Sequence, residues 1–121
     1  MKKTFVLLVL LCSPCSAALK NVNRAGQTFD IQQALEPNRP ALVFFHLSSS
    51  QPSRAFLARL PALAAAHPEM DVLVVDVNQM TSPVAREFKL TSAPYVQEYD
   101  KKGNLSSEGA KSYNHLVQLS P

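Results

Sequence analysis

The sequence predicts an α/β fold in which a mixed central sheet lies between two layers of helices. Three observations carry that prediction. Ala41–Leu47 and Asp71–Val77 are near-continuous apolar runs bounded by Pro, Ser and polar residues. Runs of this kind are strands buried on both faces. Between them Phe56, Leu57, Leu60, Leu63 and Ala64 recur at helical spacing, which supplies a crossover and makes the two strands parallel. Tyr95–Tyr99 is a third strand-like run, and Asp100-Lys101-Lys102-Gly103 after it is a hairpin turn. With 121 residues, the chain has room for one domain.

The first residues are expected to be an address. Lys2 and Lys3 precede the apolar run Phe5–Leu11, which is too short to span a bilayer, and Ser16-Ala17-Ala18 offers small residues to a signal peptidase. Residues 1–18 are therefore read as a cleavable signal peptide, with cleavage after Ala18 and Ala17 as the near alternative. The expected location is secreted or periplasmic. Cys12 and Cys15 are the chain's two cysteines. They spell C-x-x-C, but inside the segment expected to be discarded, upstream of any element that could hold the motif. The mature protein would then have no thiol for a disulfide, a thiolate-bound metal or a cysteine nucleophile. Removal of Lys2 and Lys3 leaves ten Lys and Arg against nine Asp and Glu, a net charge of +1. Such a balance has no basic patch for nucleic acid or for an anionic membrane surface.

The remaining elements follow in order. Residues 19–27 are polar and read as a loose leader, so the domain is expected over 28–121. Thr28 or Asp30 caps a short helix over Phe29–Glu36, and Pro37, Asn38, Arg39 and Pro40 end it. Ser48–Ser53 is a turn after the first strand. Pro61 should kink the helix that follows, and His67-Pro68 ends it. Ser82-Pro83 starts another helix, with Val84, Ala85 and Phe88 as its apolar stripe. A weak strand is expected over about 104–109 and a short closing helix near 114–119.

The order of these features is similar to the thioredoxin family over Thr28–Gly109. Pro40–Leu47 resembles the strand that leads into that family's active site. Ser50-Gln51-Pro52-Ser53 stands where the family has C-x-x-C, with Pro52 in the place of the motif's proline. Val75-Asp76-Val77-Asn78 resembles the next strand end, and Leu90-Thr91-Ser92-Ala93-Pro94-Tyr95 resembles the segment that holds the family's cis-proline. The resemblance implies a thioredoxin-like three-layer α/β/α sandwich.

The departures bear on function. Disulfide exchange needs one thiolate to attack and a second thiol to resolve. Ser50 and Ser53 keep the motif's outline without that chemistry, and the family's buried acid falls on Phe44. The resemblance also implies a groove beside Pro94 that holds extended polypeptide. Its expected lining is Ala93, Pro94, Tyr95, Gln51, Pro52 and His46. A polypeptide partner needs no cysteine there, since main-chain hydrogen bonds and apolar contacts suffice. Equally, Pro94 can simply fix a turn between helix and strand. A serine nucleophile at Ser50 would need a base, and His46 is the nearby candidate. Some glutathione-using enzymes of this fold activate a thiol with a serine hydroxyl, which is the alternative reading of Ser50. A signal segment left uncleaved, tethering the protein to a membrane, is another. His46, His67 and His115 show no ligand spacing, so no metal and no cofactor are expected. The leading expectation is a polypeptide-binding, chaperone-like or adaptor module that is not an oxidoreductase.

Overall fold

The computed structural model describes residues 19–120. The expected signal segment, with Cys12 and Cys15, lies outside the described residues. Ten elements follow one another: β1 (Leu19–Asn21), α1 (Ile31–Ala34), β2 (Ala41–His46), α2 (Gln51–Leu57), α3 (Leu60–Ala66), β3 (Asp71–Asp76), α4 (Pro83–Glu87), β4 (Tyr95–Tyr99), β5 (Leu105–Glu108) and α5 (Ala110–Leu119). The strands form one sheet in the order β1-β3-β2-β4-β5. β1, β3 and β2 run parallel, β4 is antiparallel to β2, and β5 is antiparallel to β4. This is the expected α/β/α sandwich with a mixed sheet.

Strand β2 is the centre. All six of its residues are buried, because β3 covers one edge, β4 the other, and helices cover both faces. Alternation along the strand splits the core in two. Leu42 and Phe44 join Phe56, Leu60, Leu63 and Leu116, under α2, α3 and α5. Ala41, Val43 and Phe45 join Leu73, Val75, Val84 and Ala85, with Ile31 and Ala34 of α1 packed alongside. A sheet buried on both faces has no polar alternation, which is why β2 and β3 read as continuous apolar runs.

Three sequence expectations are corrected. Residues 19–27 are not a loose leader. Leu19, Lys20 and Asn21 pair with Val72, Leu73 and Val74 as an edge strand. The segment after them then clamps the end of β3. Asn23 Oδ1 accepts from the Asp76 N–H at 2.8 Å, and Asn23 Nδ2 donates to the carbonyls of Asp76 and Gln27. A strand of three residues, half-exposed at an edge, is too short to show a period, so composition alone reads as loop. The long helix over 51–66 is two helices rather than one kinked helix. Pro61 has no N–H to bond back one turn, and the chain restarts at Leu60 after Arg59 bonds to Phe56 O instead. The closing helix begins at Ala110, a turn earlier than expected. Gly109 precedes it with φ +80 and ψ −144, a backbone shape that only glycine adopts readily.

Another glycine is held by both conformation and space. Gly26 has φ +76, and a Cβ there would stand 2.9 Å from Ser82 Oγ. Its N–H donates to Asp76 O, and its carbonyl accepts from Val84 N–H. Gly26→Ala is therefore expected to destabilise the protein by about 1–3 kcal/mol. Denaturant unfolding of the variant checks this; a midpoint equal to the wild-type value would show that the clamp tolerates a side chain.

Candidate functional site

The turn that replaces C-x-x-C is built from strand β2 and helix α2. Ser50 is the N-cap of α2, with extended backbone, and its hydroxyl accepts from Ser53 N–H at 3.3 Å. Pro52 sits in the first turn, where its missing N–H costs nothing. Arg54 folds back, and its guanidinium donates to Ser48 O at 2.7 Å, closing the loop between strand and helix.

Ser53 is fully buried. Its hydroxyl accepts from Leu47 N–H at 2.9 Å and lies 2.7 Å from His46 Nδ1. His46 ends β2 and is itself buried. Burial pushes the His46 pKa down from 6.5, and the Arg54 charge adds to this, while the Asp76 charge opposes it. A neutral ring accepts at one nitrogen and donates at the other. Ser53 has one proton and two lone pairs. With Leu47 N–H on one lone pair, the Ser53 hydroxyl keeps both a proton to donate to Nδ1 and a lone pair to accept from it, so the pair is bonded in either ring tautomer. Beneath the pair, Phe44 stacks on His46 at 6.4 Å and on Phe56 at 5.9 Å between ring centroids. The position where the resemblance implies a buried acid is thus filled by an aromatic ring.

This geometry redistributes the expected roles. His46 hydrogen-bonds to Ser53, not to Ser50, so a base for a Ser50 nucleophile is not assembled. The reason is strand alternation, which turns the His46 side chain to the same side as Phe44, under α2. For the same reason His46 leaves the groove lining expected for it.

The groove itself is present beside the turn, with a volume of about 320 Å³. Pro52, Pro94 and Tyr95 are among the residues that line it. Gln51 is exposed at the helix start, and Ala93, which joins Pro94 through a cis peptide bond, stands behind it in the chain. Neither belongs to the lining. The opposite wall was not legible in the sequence. It is formed by Gly109, Ala110, Tyr113 and Asn114 of α5 and its approach, with Ser92 at the rim. The spacing of Tyr113 and Leu116, three residues apart after Gly109, was the signal that could have found it.

The groove's two tyrosines are anchored differently. The Tyr95 hydroxyl donates to Glu108 Oε1 at 2.5 Å, and its ring meets the Phe45 ring edge-on. Burial, then that carboxylate, pushes its pKa up to about 12. Tyr113 packs its ring on Phe56 at 5.4 Å, which links the groove wall to the core beneath the Ser50–Ser53 turn. The three histidines stand apart. His67 reaches Leu119 O at the end of α5, and His115, in the middle of that helix, reaches Glu98 Oε1.

Comparison with protein-family models finds no match, and comparison with curated proteins finds none either. Solved structures do match. Thioredoxin f from spinach chloroplast, in its short form, superposes with a TM-score of 0.63 at 21% identity, covering 84% of this chain and 89% of that one. Thioredoxin O2 from Arabidopsis thaliana in the oxidised state gives 0.63 at 14% identity, over 87% and 96% of the two chains. A designed protein gives 0.57 at 30% identity, over 74% and 80%. The chain has the thioredoxin-like fold.

Two predictions follow from the Ser53 node. Ser53→Ala leaves the Leu47 N–H without its acceptor inside the protein, at an expected cost of about 1–3 kcal/mol. Ser50→Ala removes an ordinary cap and should cost about 1 kcal/mol. Chemical denaturation of both variants gives the order, and a larger loss at Ser50 would contradict it. The second concerns acid. Because the folded His46 pKa lies below 6.5, the unfolded chain takes up its proton first. The stability contributed by the neutral ring is present above about pH 6.5 and is lost as pH falls toward the folded value. His46→Asn should be less stable at pH 8 yet flatter between pH 8 and 5. Parallel slopes for the two proteins would exclude His46 as the source.

Proposed function

We propose that this protein is an exported thioredoxin-like module that binds polypeptide in the groove between the Ser50–Ser53 turn, Pro94 and α5, and does not exchange disulfides. The observation that carries the reading is the groove. It is open and largely apolar, and it stands beside a turn whose two motif positions are hydroxyls. Residues 19–121 contain no cysteine, so neither the attacking nor the resolving thiol of an exchange reaction is available in a chain released at Leu19. What is left at this end of the sheet is a binding surface, and thioredoxin-like grooves of this kind suit an extended chain.

Export is supported by the charge–apolar–small order of residues 1–18. Cleavage after Ala18 keeps the described residues of β1, Leu19–Asn21. The Ser53–His46 pair supports a structural use of both residues: Ser53 is sealed from solvent and spends its hydroxyl on the strand end.

Photo-crosslinking in cells from positions 95 and 113, with a control probe at the exposed Arg59, tests the reading. The expected result is one or a few discrete polypeptide adducts from the two groove positions and none from position 59. The crosslinked protein should come from the extracytoplasmic fraction with its N-terminus at Leu19. Adducts equal at all three positions would overturn the groove assignment, and a retained Met1 would overturn the export assignment.

A further inference from the structure

The groove has a chemistry more particular than apolarity. Its body is two aromatic rings, Tyr95 and Tyr113, and two prolines, Pro52 and Pro94. None of the lining side chains is charged. The Glu108 carboxylate lies outside the lining, and its Oε1 accepts from the Tyr95 hydroxyl and from Gln97 Nε2. A charged side chain laid into this groove would lose water and find no opposite charge, which is unfavourable.

The polar groups that remain point the same way. The Ser92, Tyr113 and Asn114 side chains have no hydrogen-bond partner among the described residues, and each can donate. An ordinary extended peptide brings as many N–H groups as carbonyls. A proline-rich chain brings carbonyls with few N–H groups, no charge, and pyrrolidine rings that pack on aromatic faces. It also enters already shaped as a polyproline II helix, so less conformational freedom is lost on binding. Neutral, aromatic and donor-bearing, the groove is the electrostatic complement of such a chain.

We infer that the groove takes an uncharged, proline-rich segment in the polyproline II conformation. This rests on the reading of the groove as a polypeptide site and narrows it.

The test is a titration of the isotope-labelled protein with three short end-blocked peptides, followed by amide chemical shifts. One peptide is uncharged and built on a Pro-x-x-Pro core. Its twin has every proline replaced by alanine, and a third has valines at those positions to favour a β-strand. The expected result is saturable shifts at Ser92, Tyr95, Tyr113 and Asn114 with the proline peptide, and binding of the alanine twin weaker by about tenfold or more. Asn114 is exposed, so Asn114→Lys should leave the fold intact while weakening the proline peptide. Tyr113→Phe, which removes one hydroxyl and keeps the ring on Phe56, should weaken it less. Equal or tighter binding of the valine peptide at the same residues would overturn the proline assignment and leave the polypeptide reading standing. Shifts confined to other surfaces, or none with any peptide, would also overturn it; the crosslinking experiment then decides the broader reading separately.

Discussion

The end of β2 is fastened to the start of α2 by one buried hydroxyl. Ser53 Oγ holds the Leu47 N–H and the His46 ring at once, and much of the site's geometry depends on that node. It satisfies a backbone donor that leaves the sheet with no strand partner. It fixes the His46 ring beside that of Phe44, 6.4 Å away between centroids. It also sets where α2 begins, and so where Pro52 stands relative to Pro94. A hydroxyl suits this task because one oxygen can accept and donate together. The aromatic stack of Phe44, His46 and Phe56 fills the space below.

The groove depends on a second constraint, the placement of α5. Leu116 anchors that helix in the core under the sheet. Tyr113, one turn earlier, reaches Phe56 of α2. The same side chain is therefore a core contact on one side and a groove wall on the other. Gly109 permits this by letting the chain leave β5 and enter the helix within one residue. Strand β5 and helix α5 thus bring the groove's far wall to the near wall supplied by β4.

What was legible in the sequence was what depends on burial. The β2 and β3 runs, the Phe56–Ala64 spacing and the hairpin at Asp100–Gly103 each carry a hydrophobic or turn signal strong enough to read directly. Pro52, Pro94 and Tyr95 were found through a resemblance in their order, and they line the groove. What was missed lies where local pattern is weak. β1 has three residues and one partner strand. The sequence makes α5 look short because Ala110, Lys111 and Ser112 carry no apolar period, and Tyr113 goes with them. His46 was assigned to the groove because strand alternation gives a side but not which side, and only the packing of Phe44 under α2 decides it.

The edge position of β1 has a consequence for local opening. The strand is three residues long and has one partner strand, β3, whereas β2 is buried along its whole length between β3 and β4. Local opening of a native protein starts where few buried contacts hold an element. It therefore begins at the edge held by Asn23, while the central strands stay closed.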